Sequence, residues 1–307
     1  MPLHQTSGRW RLGLALSLVT ALLWGVLPIT LAITLQALDV YTVSWFRFLV
    51  AFGVLVVYLA ARQQLPELQK LRSASLGLLA IATIFLGANY LLFLQGLAQT
   101  SPTTAEVLIQ LASVFFGLGA LAVFKERYTL HQWVGLGVLS LGFILFFNEQ
   151  LKTVLTAQAT YLVGNALLVL AAATWAIYAL AQKQLLEKLP SSTIMLIIYG
   201  GCAILFSPFA APQQLFSLSR LHFGMLLFCG LNTLMAYGAF AEALEHWEAS
   251  RVSAVLALTP IVTLGTVWIL SWLAPTLIAP ERLTTLGMIG AVLVVVGTVA
   301  IAIGKKR

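Results

Sequence analysis

The sequence predicts an all-α membrane protein with ten transmembrane helices. Three observations predict this class: ten separate apolar stretches fill the 307 residues, 60% of the residues are hydrophobic while 9% are charged, and the basic residues gather in alternate connectors. A bilayer core about 30 Å thick needs roughly 20 apolar residues of helix. A soluble domain carries about 25% charged residues, so a soluble chain this apolar could not cover its surface with polar groups.

The predicted spans are joined by short polar connectors, none of which is large enough to fold as a soluble domain. The first span differs from a signal peptide because its apolar run is too long. Trp24, Gly25 and Pro28 also stand where small residues would mark a cleavage site, so we expect this span to be retained. The ten spans are predicted at residues 11–35, 41–61, 75–98, 103–124, 130–147, 160–182, 193–211, 221–243, 252–273 and 284–303.

Basic residues test this count, because Lys and Arg favour cytoplasmic loops. With the N-terminus inside, 13 Lys and Arg residues fall in cytoplasmic segments and only Lys152, Arg220 and Arg282 fall outside. A missed or extra span would scramble this pattern, so both termini are predicted to be cytoplasmic. The expected location is a plasma membrane such as the bacterial inner membrane. The basic residues form no patch, so no nucleic-acid partner is expected.

The second half of the sequence repeats the first. Matched positions, in order, include Trp24 with Trp175, Tyr90 with Tyr237, Phe93 with Phe240, Gly135 with Gly290 and Gly142 with Gly297. The predicted repeats are residues 1–150 and 151–307, and each holds five spans. Because five is odd, the two repeats must cross the membrane in opposite directions. Such inverted repeats are typical of many secondary transporters, with a substrate site near the midplane.

Few residues are suited to chemistry. No glycine-rich phosphate loop is present, and no paired-acid, Ser-His-Asp or Cys-His arrangement can be recognised. Cys202 and Cys229 lie in separate spans without the spacing of a metal site. The sequence therefore predicts a protein that is not an enzyme and has no cofactor or metal, and whose solute movement is passive or driven by a gradient.

Several short motifs follow one another in order along both halves. They are Leu23-Trp24-Gly25, Asn89-Tyr90, Ala98-Gln99-Thr100-Ser101-Pro102, Phe124-Lys125-Glu126-Arg127, Trp175-Ala176-Ile177-Tyr178 and Ala257-Leu258-Thr259-Pro260. In these motifs the chain resembles the drug/metabolite transporter superfamily, in its ten-helix EamA type, over residues 11–303. The resemblance implies export or exchange of solutes, often amino acids, other metabolites or toxic compounds, and names no single solute. The connector before span ten is about eight residues longer than its counterpart, so identical motion of the halves is not expected.

Polar side chains at bilayer depth are costly and are therefore functional candidates. Glu106, Gln110, Ser113 and Gly117 share one face of span four, which suits a polar cavity or close helix contact through small residues. Glu106 either caps the helix N-terminus or binds a substrate amine or a proton. Asn89, nearly mid-span, either bonds another helix or faces water.

Arg47 lies about six residues into span two. The first interpretation is that its side chain snorkels toward the outer headgroups. The alternative is a cation that faces the mouth of a cavity and attracts a carboxylate.

Proline and glycine positions predict bends and close contacts. Pro28, Pro208 and Pro260 interrupt backbone hydrogen bonding and are candidate bends. The matched glycines of spans five and ten recur every seven residues, which favours close helix packing. These two spans are therefore assigned to a scaffold, and spans 1, 3, 4, 6, 8 and 9 to a cavity.

Deep aromatic side chains are the remaining candidates. Tryptophan and tyrosine gather at membrane interfaces, but Trp24, Tyr90, Trp175, Tyr178 and Tyr237 lie deeper than that. These rings either pack together or line a cavity that stacks on a planar solute or holds a cation.

The leading hypothesis is a secondary transporter that exports small organic solutes, such as amino acids or related metabolites, by alternating access between the repeats. The alternatives are an intramembrane enzyme or lipid-handling protein that uses the same cleft, and a sensor or assembly subunit that moves no solute. Expected partners are the solute, the lipid bilayer and protons as a candidate coupling ion, while the oligomeric state is left open. The candidate substrate-binding residues are Trp24, Asn89, Tyr90, Glu106, Gln110, Trp175, Tyr178 and Tyr237.

Overall fold

The computed structural model describes residues 9–66, 75–124, 129–146, 148, 159–247, 252, 255–256, 258–278 and 284–303. Every regular element within these ranges is helical, which confirms the all-α prediction. The helices are α1 (Trp10–Thr34), α2 (Val40–Ala61), α3 (Leu76–Gln99), α4 (Pro102–Ile109), α5 (Leu111–Phe124), α6 (Leu130–Phe146), α7 (Ala159–Leu185), α8 (Ser191–Phe206), α9 (Arg220–His246), α10 (Thr259–Leu273) and α11 (Thr285–Ile303), with a 3-10 helix at Pro212–Ser217.

Short polar side chains fix where several of these helices begin. The Asp39 carboxylate caps α2 by accepting hydrogen bonds from two backbone N–H groups of the first turn, at 2.8 and 2.9 Å. Ser101 caps α4 by accepting from the backbone N–H of Thr104 at 3.2 Å. Pro102 follows as the first residue of that helix, a position whose N–H would have no partner within the helix anyway.

In the part of the chain that the structure describes, five helices are long and apolar enough to cross a membrane, at Trp10–Thr34, Val40–Ala61, Leu76–Gln99, Thr160–Leu185 and Arg220–Phe240. The other apolar helices are shorter. Large apolar side chains such as Ile204 and Trp268 are each 76% exposed, which suits contact with lipid. The fold is consistent with a membrane protein, and the count of ten spans stays a prediction.

The fourth predicted span, 103–124, is not one continuous helix, because α4 ends one residue before Gln110 and α5 starts one residue after it. The Gln110 N–H donates to the carbonyl of Val107, three residues back, at 3.2 Å. An α-helix would use the carbonyl four residues back. The helix therefore has a tighter turn at Gln110 and is interrupted there, although no proline or glycine at this point of the sequence predicts a break.

The ninth predicted span, 252–273, is also interrupted. Residues 252, 255 and 256 are helical, Leu258 is in a turn, and α10 starts at the next residue. When the two halves of the sequence are aligned, Leu258 matches Leu111. The two breaks therefore lie within one residue of equivalent positions.

The prolines do not all act as predicted. Pro28 lies inside α1, where a bend was expected. Pro260 is in the first turn of α10, and Pro208 lies in the turn after α8. Two of the three expected bends are therefore helix boundaries, because proline is tolerated where no helical partner for its missing N–H is needed.

The helix contacts follow the internal repeat, so that a contact made by one helix is matched by a contact of its equivalent helix in the other half. α3 packs on α7 as α1 packs on α9, α5 packs on α7 as α1 packs on α10, and α3 packs on α8 as α2 packs on α9. Two further pairs, α2 with α8 and α6 with α11, join equivalent helices of the two halves, and α4 packs on α10, which belongs to the equivalent span of the other half. The molecule is thus built from contacts that each half makes with the other.

Equivalent helices run in opposite directions where they meet. Between α2 and α8, the indole N–H of Trp45 donates to the Ser207 hydroxyl at 3.1 Å, while Phe52, later in α2, lies against Gly200, earlier in α8. Opposite directions of matched helices are what two oppositely inserted repeats require.

The pair α6 and α11 is also antiparallel and depends on glycine. Leu139 lies against Gly297, and Phe146 against Gly290. A Cβ atom added to Gly142 would lie 2.6 Å from the backbone nitrogen of Val294, too close for any side chain. The two backbones can approach this closely only because these positions have no side chain.

We expect Gly142→Ala to destabilise the protein by about 1–3 kcal/mol, the usual cost of forcing a methyl group into a filled contact. The measurement is thermal unfolding of the purified protein in detergent. Gly137→Ala is the matched control on the same helix, since nothing lies within 4 Å of its added methyl group. Equal unfolding temperatures for the two variants would contradict the close contact.

Candidate functional site

A cavity of about 170 Å³ lies where helices of both halves meet. The first half supplies side chains from α1 to α5, and the second half supplies side chains from α7, α9 and the break before α10. Seven of the eight candidate residues line this cavity, namely Trp24, Asn89, Tyr90, Glu106, Gln110, Trp175 and Tyr237. The structure thus brings together residues that are far apart in sequence, while their part in binding stays a prediction.

Aromatic rings form much of the cavity wall. The ring centroids of Trp24 and Tyr237 are 5.2 Å apart in an edge-to-face arrangement, and those of Trp24 and Phe240 are 5.6 Å apart. Trp175 packs edge-to-face with Phe116 at 6.5 Å. Such pairs are held in place by the attraction between ring edges and faces, so the wall is rigid before any ligand arrives.

Tyr178 is the exception among the candidates. It is 1% exposed and does not line the cavity. Its ring packs edge-to-face behind Trp175 at 6.3 Å, and its hydroxyl donates to the sulfur of Met195 in α8 at 3.5 Å. The three-residue step along α7 directs Tyr178 toward the neighbouring helix, so it lies behind the cavity wall, and its contact with a solute stays a prediction that the cavity lining does not support.

Three polar side chains gather at the two helix breaks. Glu106, Gln110 and Thr259 are 5%, 8% and 3% exposed. The Gln110 amide donates to the Thr259 hydroxyl at 3.3 Å, and the Glu106 carboxyl group interacts with both side chains. The break in each half is therefore tied to the break in the other.

The alternative role of Glu106 as a helix cap is wrong. The cap of α4 is Ser101, and the first turn of this helix contains no acidic residue. Glu106 lies beyond that turn and faces the cavity. Within the described ranges it forms no salt bridge, so its partners there are the neutral side chains of Gln110 and Thr259.

Asn89 both bonds another helix and faces the cavity, which were the two roles that its position in the sequence left open. Its side-chain N–H donates to the carbonyl of Ala171 in α7 at 2.9 Å. The same residue lines the cavity. The hydrogen bond fixes the amide and thereby orients its carbonyl oxygen.

Arg47 does not snorkel. Its side chain is 3% exposed and lines the cavity, with Nε donating to the Thr233 hydroxyl at 3.1 Å. The guanidinium carbon lies 4.3 Å from the centre of the Tyr90 ring. The sequence shows how deep Arg47 lies in the membrane, but not which way its side chain points. That direction is set by Tyr90 in α3 and Thr233 in α9, and neither contact can be seen from the sequence of α2 alone.

Other cavity residues carried a weaker signal in the sequence. Phe93 and Phe240 both line the cavity and occupy matching positions in the two halves. The internal repeat could therefore have found them. Thr259, which forms the bridge to Gln110, gave no signal beyond its place in a short motif.

Comparisons with known proteins agree on one family. The profile of the EamA-like transporter family matches residues 11–148 and again residues 162–303. An uncharacterised transporter of Haemophilus influenzae is 38% identical, with 96% of each chain covered. The uncharacterised inner membrane transporter YhbE of Escherichia coli is 39% identical over 96% of this chain and 92% of that protein.

Two more distant similarities extend this picture. A protein of Salmonella typhimurium named a probable amino-acid metabolite efflux pump is 25% identical over 92% of each chain. A crystal structure with 15% sequence identity covers 96% of this chain and 98% of its own, with a TM-score of 0.66. At that identity the crystal structure supports the fold alone.

Cysteine substitution can test which residues face the cavity. Leu27 lines the cavity, whereas Ile29, two residues further along α1, is 0% exposed and faces a packed cluster. Leu27→Cys should react with a small methanethiosulfonate reagent several times faster than Ile29→Cys. The native Cys202 and Cys229 are buried, so the background should be low. Equal labelling at both positions would contradict the assigned lining.

Proposed function

The chain belongs to the EamA-like transporter family, and we propose that it is a secondary transporter that exports small organic solutes such as amino acids or related metabolites. Two copies of the family's repeat fit the drug/metabolite transporter superfamily. The name of the Escherichia coli relative and the membrane-length helices support a multi-pass protein of the inner membrane.

The observation that carries this proposal is the cavity between the two halves, which is lined by aromatic rings together with polar side chains that include Arg47, Asn89 and Glu106. A transporter needs a binding site that can open to each side of the membrane in turn. Inverted repeats place such a site at the interface between them. Aromatic walls with one carboxyl group and one guanidinium suit a small solute that is both apolar and charged. The name of the Salmonella relative supports amino-acid metabolites and the outward direction.

Alternating access follows from the packing of the halves. In the proposed topology, repeats 1–150 and 151–307 each cross the membrane five times in opposite directions, with both termini in the cytoplasm. Most helix contacts recur when each helix is replaced by its equivalent in the other half. The two halves can therefore exchange their conformations, and the two resulting states have related packing and similar energy. The breaks at Gln110 and Leu258 supply the hinges, because an interrupted helix can bend at little cost in hydrogen bonds.

We propose that Glu106 binds a proton or the ammonium group of the solute. Its carboxyl group is buried at the cavity, next to both hinges and without a cationic partner among the described residues. A gain or loss of its charge would therefore alter the bridge between Gln110 and Thr259. This arrangement would connect occupancy of the site to motion of the halves.

Replacing Trp24 or Trp175 by Ala should lower export of labelled amino acids from proteoliposomes. Loss of aromatic contacts worth about 0.5–1.5 kcal/mol predicts a rate about 2- to 10-fold lower at subsaturating solute. Trp268→Ala is the control, because Trp268 is 76% exposed and lies outside the cavity. A broad solute panel identifies the substrate. Chromatography of the exported label checks that it is unchanged, and conversion of the label would argue for an enzyme instead.

Replacing Glu106 by Gln should flatten the pH dependence of transport, because an amide cannot take up the proton that the carboxylate binds. The measurement is the initial rate of export across a pH series with the membrane potential clamped. Glu187→Gln, at an exposed position after α7, is the control and should keep the wild-type profile. A pH profile of Glu106→Gln that matches wild type would rule out the proton-binding role.

A further inference from the structure

Arg47 is a buried cation whose charge is not balanced within the described part of the protein. It is 3% exposed and forms no salt bridge there, although Glu106 lines the same cavity. Nε donates a hydrogen bond to the Thr233 hydroxyl at 3.1 Å, and the guanidinium carbon lies 4.3 Å from the centre of the Tyr90 ring. Burying a charge away from water is costly unless an opposite charge pairs with it. The Thr233 hydroxyl and the Tyr90 ring are neutral, so they do not balance the charge of Arg47.

We propose that Arg47 completes its pairing with the carboxylate of the solute, and so is the anchor of the binding site. This inference rests on the proposed function and narrows its substrate class to carboxylates. A guanidinium presents two parallel N–H groups that match the two oxygens of a carboxylate. With Nε held by Thr233 and the guanidinium carbon 4.3 Å from the centre of the Tyr90 ring, the protein itself positions the guanidinium for a ligand.

The Tyr90 hydroxyl is a further polar group beside this guanidinium. Tyr90 is 4% exposed and lines the cavity, and its hydroxyl makes no hydrogen bond of normal geometry, although the side chains of Thr233 and Tyr237 lie close to it. Buried hydroxyl groups are rarely left unpaired. A carboxylate bound to Arg47, whose guanidinium lies over the ring of the same tyrosine, would offer this hydroxyl an acceptor.

The cavity walls limit the rest of the solute. Trp24, Phe93, Tyr237 and Phe240 present rings, so an inorganic anion would leave most of the wall without a partner. The volume of about 170 Å³ is below the roughly 300–1,000 Å³ of pockets for drug-sized ligands. The geometry therefore favours a small monocarboxylate with an apolar side chain, either an amino acid or a plain carboxylic acid.

Four probes that share one side chain separate these possibilities. They are L-leucine, L-leucinamide, 4-methylpentanoate and 3-methylbutylamine, each titrated into the purified full-length protein while tryptophan fluorescence is recorded. We expect both carboxylates to bind about 10- to 100-fold tighter than the probes without one, from the strength of hydrogen bonds between charged groups. L-leucine tighter than 4-methylpentanoate would indicate an amino acid, and the reverse order a plain acid.

Arg47→Gln should abolish this preference for carboxylates. Arg62→Gln is the matched control, since Arg62 also stacks on a tyrosine ring, that of Tyr58, at the exposed end of the same helix. If Arg47→Gln does not fold, Arg47→Lys keeps the cation and loses the planar pair of donors. It should then weaken carboxylate binding several-fold and leave 3-methylbutylamine unchanged.

Three results would overturn the inference: no binding of either carboxylate by the wild-type protein, an equal affinity for L-leucine and L-leucinamide, or an unchanged carboxylate affinity in the Arg47 variant that folds. Binding is measured here without transport. A protein that binds carboxylates through Arg47 but exports nothing would therefore refute the proposed function alone, whereas export of solutes without a carboxylate would refute this inference alone.

Discussion

The structure depends on one constraint, that polar groups inside a bilayer must find their partners within the protein. Most hydroxyl groups meet it locally: those of Ser17 and Thr34 donate to the carbonyl four residues earlier, each at 2.7 Å. The Asn232 side-chain N–H meets it across helices, donating to the backbone of α1 at 2.7 Å. Arg47 departs from this pattern as a buried cation without a carboxylate partner among the described residues, and it faces the cavity. A buried charge of this kind indicates where a ligand would contribute the missing partner.

Two of the contacts between the halves differ in how much motion they allow. Between α6 and α11 the backbones touch through glycines, so this contact has almost no freedom to slide. At the breaks near Gln110 and Leu258 the halves are linked through side chains, with Gln110 donating to Thr259 at 3.3 Å and the Glu106 carboxyl group interacting with both. A rigid contact beside a link through side chains lets one part of the molecule act as a frame while the other part bends.

Hydropathy was enough to predict the helices and the class, because a bilayer selects for length and apolar composition and for little else. The internal repeat also matched Trp24 with Trp175 and Tyr90 with Tyr237, and all four line the cavity, since a site between equivalent halves draws matching residues from each. The break at Gln110 could not be predicted from local sequence. It has neither proline nor glycine, and the side chain at the break bonds to Thr259, about half the chain away. For the same reason the direction of Arg47 and the burial of Tyr178 required the neighbouring helices.

The glycine contact between α6 and α11 also constrains biosynthesis. A ribosome releases α6 well before it has made α11, so for a long interval the glycine face of α6 has no helix against it. Lipid tails or the insertion machinery must cover that groove while the second repeat is being made. Assembly of the first repeat is therefore completed only by the arrival of its counterpart, which ties the quality control of one half to the synthesis of the other.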